Sequence, residues 1–226
     1  MTNSKFDFPG SLHEFMRSNA SMDDAGKAKL HELATYIRTD LWRPGTDDDL
    51  CLNSAVTYAQ ADKLAALVDQ YGANVQQYTD LMDDNDPKKK VRENLLGNAL
   101  MSFNLRPDVD RSPEGQKRLA QTVEFLLQRG VPAAPNSDPR KSAVAEAYAL
   151  AHPDDESTTA GMWAAFSRSS DPDHAAMGGF KEPYELIRKY QPEAVARFER
   201  DMGLAADGTK LPLWKQAVNA VVPVFN

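Results

Sequence analysis

Cysteine is nearly absent from the chain, since Cys51 is the only one among 226 residues. A single cysteine excludes an intrachain disulfide and a zinc site built on several thiolates. Long apolar segments are missing as well. The stretch from Ala217 to Phe225 is interrupted by Asn219 and Pro223, and it falls short of the roughly 20 residues that a membrane span requires. These absences predict a protein without a membrane span.

The N-terminal segment lacks the unbroken apolar stretch of a secretory signal peptide. Asp7, Pro9 and Glu14 stand where that stretch would have to lie. We therefore expect a soluble protein that stays in the cytoplasm or is delivered by a secretion system without a cleaved signal peptide.

Basic residues are outnumbered, with 26 lysines and arginines against 33 aspartates and glutamates, so the formal net charge is -7. Such a charge repels nucleic acid and anionic lipid. The predicted partner is another protein, preferably one with a basic surface. The composition leaves the oligomeric state open.

Motifs that carry catalytic chemistry are missing too. The sequence has no Gly-x-Ser-x-Gly elbow and no phosphate-binding glycine loop, and the pair Gly178-Gly179 follows no predicted strand. Its four histidines are scattered without the spacing of metal ligands: His13, His31, His152 and His174. We therefore predict that the protein has no catalytic residue and binds no cofactor and no metal.

Several charged runs resemble sites but favour simpler interpretations. Asp47–Asp49 and Asp80–Asp86 lack the alternating ligands and central glycine of a calcium loop, which predicts solvated loops and helix starts. Lys88–Lys90 follows the second run and is expected to be neutralised by it. His152–Glu156 contains a proline and predicts a loop that leads into a helix N-terminus.

What the chain does have is a series of short helical windows. Alanine, leucine, glutamate, glutamine and arginine recur over about ten residues at a time, and glycine, proline, aspartate or asparagine bounds each window. Leu30, Leu33 and Ile37, for example, are spaced to share one helix face. The pattern predicts an all-α fold.

Parts of these windows repeat along the chain. Serine or asparagine followed by alanine and an aliphatic residue recurs at Ala55, Ala99 and Ala143, at equal intervals because 99 − 55 and 143 − 99 are both 44. Apolar second helices in Leu64–Ala73 and Thr122–Val131 each end at a glycine. Glycine suits the left-handed residue just past a helix end.

These residues resemble the ankyrin repeat, in which two helices are followed by a glycine and a hairpin loop. Val123–Gly130 carries the closest match, Leu67–Val75 the next, and Glu182–Leu186 resembles the start of a repeat. The resemblance covers Asp49–Leu204 in about four units. It implies stacked helical pairs that share one apolar core.

The units depart from the ankyrin pattern in three places. None has a complete Thr-Pro-Leu-His start, and the second carries an insertion, Asn104–Glu114, between its helices. The third, built from Ser142–Ala151 and Thr159–Ser167, lacks a closing glycine. Another helical-pair solenoid or an irregular helical domain therefore remains an alternative.

The predicted fold is an all-α, helical-pair solenoid of about four irregular ankyrin-like repeats with helical caps at both ends. Residues 1–45 form the N-terminal cap, residues 46–207 the repeats, and residues 208–226 the C-terminal cap helix. All three belong to one continuous domain.

Ankyrin-like proteins bind partners through loops and first helices, which implies where a partner would lie. Tyr78 and Phe180 are predicted to be exposed aromatic contacts on that surface. Phe125, Trp163 and Phe166 are instead expected in the core. The insertion is longer than a helix turn needs, so its charged residues are the remaining predicted partner contacts: Arg106, Asp108, Asp110 and Arg111.

The sequence thus predicts a protein-protein interaction module rather than an enzyme. The leading hypothesis is a bacterial effector that binds and occupies a target protein. The alternative is an immunity or antitoxin-like inhibitor whose acidic surface covers a basic toxin. An enzyme on an all-α scaffold is the third possibility, because distant residues can converge in space.

Overall fold

A computed structural model of the chain describes residues 22–28, 30–31, 47–76, 78–83, 86–135, 142–205 and 211. These residues are mainly helical, which confirms the all-α prediction in its coarse form. In chain order the elements are α1 (Asp47–Thr57), α2 (Ala61–Tyr71), β1 (Tyr78–Asp83), β2 (Asp86–Asn94), α3 (Leu95–Leu105), α4 (Pro113–Gln128), α5 (Ala143–Ala151), α6 (Thr159–Ser170), α7 (Pro172–Ala176), α8 (Glu182–Tyr190) and α9 (Pro192–Asp201).

Residues 24–28 and 30–31 are also helical, and Leu30 belongs to the hydrophobic core. Most of the two predicted caps, residues 1–45 and 208–226, lies outside the described residues.

The helix ends follow local sequence signals. Asn94, Ser112 and Thr158 each accept a hydrogen bond from the backbone N–H three residues later, which satisfies a donor left free at a helix start. Gly72 and Gly130 have φ values of 74° and 73°, a left-handed conformation that glycine adopts without steric cost. The predicted glycine ends of the second helices are therefore confirmed.

Helices α1, α3 and α5 lie side by side as one row. Asn98 Nδ2 donates to Asn53 Oδ1 at 2.9 Å, which joins α3 to α1. Asn104 Nδ2 donates to the Glu146 backbone oxygen at 3.1 Å, which joins α3 to α5. Eight of the nine residues of α5 are buried, as are eight of the eleven of α3. Helices that are apolar on all sides belong inside a core, and these two form its centre.

The repeated alanines Ala55, Ala99 and Ala143 are all buried and lie in these three neighbouring helices. The helices themselves begin at Asp47, Leu95 and Ala143, which are equally spaced at a longer interval. The alanine motif therefore moves by about one turn toward the helix start in each successive helix. It marks a shared packing position rather than the beginning of a unit.

Helices α2, α4 and α8 form a second row. Arg129, next to the end of α4, pairs with Asp69 of α2 at 2.5 Å, and the Tyr190 hydroxyl of α8 donates to Glu124 of α4 at 2.8 Å. The residues predicted as the second helix of the third unit, Thr159–Ser167, are not in this row. They lie in α6, which packs across α3 and α5. Helix α8 takes the place beside α4, and α5 packs against both α6 and α8, so the pairing of α5 with α6 in one repeat stays a prediction.

An antiparallel hairpin, β1–β2, connects α2 to α3. Its register places Leu81 opposite Val91 and Asp80 opposite Arg92, with an irregularity between Met82 and Asp83. The expectation that Asp80–Asp86 forms only loops and helix starts is therefore wrong. The register places Lys90 opposite Met82 and Asp83 opposite Asp86, so the neutralisation of Lys88–Lys90 stays a prediction.

No helix among the described residues combines the length and the apolar composition needed to cross a membrane.

Candidate functional site

Phe180 lies in the core, which corrects the prediction that it is an exposed partner contact. It is 7% exposed, and its ring centroid is 6.1 Å from that of Phe103. The preceding Gly179 allows this, because a Cβ there would lie 2.9 Å from the Ala151 backbone oxygen. The chain thus approaches α5 closely enough to insert the aromatic ring.

Arg111 is also buried, so its predicted role as a partner contact needs correction. Its Nε donates to the Phe103 backbone oxygen at 3.0 Å, and its Nη2 donates to the Arg106 backbone oxygen at 2.7 Å. Nη1 forms an ion pair with Asp171 at 3.0 Å. This side chain therefore ties the insertion to α3 and to the start of α7.

The other predicted residues of the insertion lie at the surface. Arg106 Nε donates to Asp108 Oδ1 at 3.0 Å, and the Tyr58 hydroxyl donates to Asp108 Oδ2 at 2.8 Å. The hydrogen bond from Arg106 lowers the pKa of Asp108 to about 2. Asp110 pairs with Arg118 at 2.6 Å. Arg106, Asp108 and Asp110 therefore stay predictions as partner contacts.

Tyr78 is the first residue of β1, opposite Asn94. The structure describes its backbone only, so its role as a partner contact also stays a prediction.

A pocket of about 540 Å³ lies between the insertion and α7. Val109, Gln116 and Met177 contribute to its wall, together with the ion pair of Arg111 and Asp171. Asp110 also lines the pocket and pairs with Arg118, so the wall is a mixture of paired charges and apolar side chains.

Helix α6 carries the exposed large apolar side chains of the described part of the chain. It buries the small residues Ala160, Gly161 and Ala164 and exposes large ones. Met162 and Trp163 are each 53% exposed, and Phe166 is 69% exposed. The expectation that Trp163 and Phe166 belong to the core is therefore wrong.

Close packing explains this reversal. A Cβ at Gly161 would lie only 2.3 Å from the Asp155 backbone oxygen. Because α6 approaches its neighbours through residues with little or no side chain, its bulky residues must point the other way.

The three exposed residues form one patch, which we call the α6 face: Met162, Trp163 and Phe166. The rings of Trp163 and Phe166 meet edge to face with centroids 6.3 Å apart. Thr159, Ser169 and Ser170 are also exposed on α6, so this side of the helix carries no charge. Clustered exposed apolar residues, especially aromatics and methionine without charged neighbours, are typical of the centre of a protein interface.

Contacts at both ends hold α6 in place. Thr158 caps its first turn at 2.8 Å, and the Arg168 guanidinium donates to the Pro153 backbone oxygen. Ser167 Oγ lies 3.3 Å from Nδ1 of His174, which is fully buried in α7. Burial lowers the pKa of His174 to about 4, so the imidazole is neutral near pH 7. The α6 face is thus presented by an anchored helix.

Two carboxyl groups have raised pKa values, that of Glu93 near the end of β2 and that of Glu146 in α5. Burial raises the pKa of Glu93 to about 8, with a contribution from the charge of Glu146, and burial raises the pKa of Glu146 to about 7. Asn104 Nδ2 donates to Glu146 Oε2 at 2.7 Å. Raised pKa values occur at catalytic acids and at structural acids alike. The hydrogen bond between α3 and α5 favours a structural role here.

No protein-family model matches the chain, and searches of curated proteins and of solved structures found no significant match either.

Proposed function

We propose that this chain is a protein-protein interaction module that binds its partner through the α6 face. The observation that carries the proposal is the exposure of Met162, Trp163 and Phe166 on a helix that buries only small residues. Exposing these large apolar side chains to water is unfavourable in the free chain, and a partner that covers them recovers that free energy.

We further propose an ankyrin-like stack as the scaffold. Two rows of helices, second helices that end at left-handed glycines, and a hairpin between the first two pairs support this arrangement. In the proposed scheme α5 and α8 make the third pair. Helices α6 and α7 are then an insertion within that pair, which presents the α6 face outward.

Two biological roles suit such a module. The leading proposal is a bacterial effector that binds and occupies a target protein, and the irregular repeats support it. An immunity or antitoxin-like inhibitor is the alternative, supported by the net charge of -7, which favours a basic toxin as partner. An enzyme is the third possible class of function. The carboxyl groups of Glu93 and Glu146, whose pKa values are raised, would be the first candidates for catalytic residues.

The test compares the partner recovered with the full-length wild-type chain and with a Phe166→Ser variant, using affinity purification and quantitative mass spectrometry. Aromatic residues at the centre of an interface often contribute about 2 kcal/mol or more, so recovery should fall by about tenfold or more. Phe125→Ser is the matched control, because Phe125 is a partly buried aromatic on α4. Equal recovery with Phe166→Ser and wild type would contradict the proposal.

A further inference from the structure

Met162 differs in exposure from the other methionines whose side chains the structure describes. Its side chain is 53% exposed, whereas Met22, Met177 and Met202 are partly buried against the hydrophobic core. Met101 in α3 is also only partly exposed. A small oxidant such as hydrogen peroxide therefore reaches the Met162 sulfur in the folded chain, while the other four side chains give it less access.

The neighbours of Met162 make the polarity of its side chain important. Residues four apart are adjacent on the surface of a helix, so Met162 adjoins Phe166. The Phe166 ring in turn meets Trp163 edge to face. Oxidation of the thioether to the sulfoxide converts a flexible apolar side chain into a polar one. It would place a polar oxygen within the α6 face.

The packing of α6 separates this chemistry from the stability of the fold. The helix is held to its neighbours by Ala160, Gly161 and Ala164, and Met162 is not part of the hydrophobic core. A sulfoxide in a core disrupts packing, but a sulfoxide at position 162 remains on the exposed side of the helix. We therefore expect oxidation there to change the surface and to leave the fold intact.

We infer that Met162 is a reversible oxidation site, at which peroxide weakens binding through the α6 face. The inference rests on the proposed function and specifies how that function is regulated. A partner that covers the α6 face was selected for an apolar surface. It would have to bury the sulfoxide oxygen without a hydrogen-bond donor, which is unfavourable.

The reaction is a two-electron oxidation. The Met162 sulfur gives an electron pair to one oxygen of hydrogen peroxide, so that a sulfur–oxygen bond forms and the O–O bond breaks. The proton of the transferred oxygen passes to the departing hydroxide, which leaves as water. The sulfoxide is returned to the thioether by methionine sulfoxide reductases, one for each of its two epimers.

The first measurement follows oxidation residue by residue. The purified full-length chain is treated with dilute hydrogen peroxide, and peptide mass spectrometry gives the rate at which each methionine gains one oxygen. Met162 should react at least about fivefold faster than Met177 and Met202, because its sulfur is reached without local opening of the core. Urea denaturation of the chain oxidised at Met162 should give the same midpoint as the unmodified chain.

The second measurement relates oxidation to binding. The full-length chain is treated with peroxide, the peroxide is removed with catalase, and the partner that the chain then recovers from cells is quantified. Recovery should fall about fivefold or more in wild type. Both reductases together should restore it.

Two variants assign the effect to Met162. Met162→Leu keeps an apolar side chain of similar size and cannot form a sulfoxide, so it should recover the partner equally before and after treatment. Met177→Leu is the matched control and should lose the partner after treatment as wild type does. Both variants retain Cys51, the single cysteine that peroxide can also oxidise.

Several results would overturn the inference. The first is oxidation of Met162 that is no faster than that of Met177 and Met202. The second is unchanged recovery of the partner by the oxidised wild type, or a loss that the reductases do not restore. The third is a loss in treated Met162→Leu as large as in wild type, which would place the sensitive sulfur elsewhere, such as at Cys51.

The co-purification comparison with Phe166→Ser separates this inference from the proposed function. If Phe166→Ser loses the cellular partner while the oxidised wild type keeps it, the interaction module stands and its regulation by oxidation is wrong. If Phe166→Ser keeps the partner as well, both are wrong.

Discussion

The central pair α3 and α5 and the peripheral helix α6 use apolar residues in opposite ways. In α3 and α5 large residues such as Phe103 and Tyr148 are 1% exposed and point into the core. In α6 the buried positions are Ala160, Gly161 and Ala164, while Trp163 and Phe166 face outward. Apolar content alone therefore does not separate a core helix from an interface helix. The size of the residues on each face does.

Replacing a phenylalanine in each region tests this contrast most strongly. Phe103→Ala should lower the free energy of unfolding by about 3–5 kcal/mol, because it removes buried surface and leaves a cavity. Phe166→Ala should change it by about 0.5 kcal/mol or less, since the ring is 69% exposed. Urea denaturation followed by circular dichroism measures both values. Similar losses for the two variants would place Phe166 in the core and remove the contrast.

The anchoring of α7 to the insertion gives the next largest effect. Arg111→Met should destabilise the chain by about 3 kcal/mol, because it leaves Asp171 and two backbone oxygens without their buried donor. Arg106→Met is the control at the surface and should cost about 1 kcal/mol or less. Chemical denaturation compares the two variants. If Arg111→Met costs no more than Arg106→Met, the insertion is not held by this side chain.

The carboxyl groups of Glu93 in β2 and Glu146 in α5 predict a pH dependence of stability. The pKa of Glu93 is raised from its ordinary value of 4.5 to about 8, so its protonated form is favoured in the folded chain. Stability should therefore be highest near pH 4.5 and should fall as the pH rises through 8, by an amount on the order of 2 kcal/mol.

Denaturation at several pH values checks this effect. Glu93→Gln should make the fall in stability above pH 4.5 shallower than in wild type, because glutamine stays neutral throughout while Glu146, whose pKa is raised to about 7, still titrates. The exposed Glu193→Gln should keep the slope of the wild type. A wild-type profile that rises toward pH 8 would show that Glu93 is not held in this environment.

The close approach of α6 predicts the smallest effect. Gly161→Ala should destabilise the chain by about 1–2 kcal/mol, because the added Cβ would meet the Asp155 backbone oxygen. This loss opposes the intrinsic preference of alanine over glycine in a helix, about 1 kcal/mol. Ser169→Ala on the exposed side serves as the control and should be nearly neutral. If Gly161→Ala is more stable than wild type, α6 does not pack by its small residues.

The sequence predicts the helical content and the glycine ends of the second helices, because both depend on local signals near Gly72 and Gly130. It also finds buried alanines of the first row, since Ala55, Ala99 and Ala143 pack against neighbours in equivalent surroundings. The hairpin is missed because charged residues dominate its strands, and their pairing depends on the partner strand rather than on local pattern.

The orientation of α6 could not be read from its apolar residues, because both of its faces are apolar. Small residues at 160, 161 and 164 beside large ones at 162, 163 and 166 were the available signal. Which of these faces is buried is decided by the contacts of α6 with α3, α5 and the Asp155 backbone, and these contacts form only in the folded chain. Phe180 was predicted to be exposed and is buried, because the close approach of Gly179 to α5 inserts its ring into the core.

Hydroxyl-radical footprinting of Met162, Trp163 and Phe166 tests the α6 face most directly, with the purified chain compared with the complex recovered from cells. The account predicts strong labelling of all three residues in the purified chain and clear protection in the complex, with Phe125 labelled alike in both. Protection already present in the purified chain, or labelling that stays equal in the complex, would contradict it.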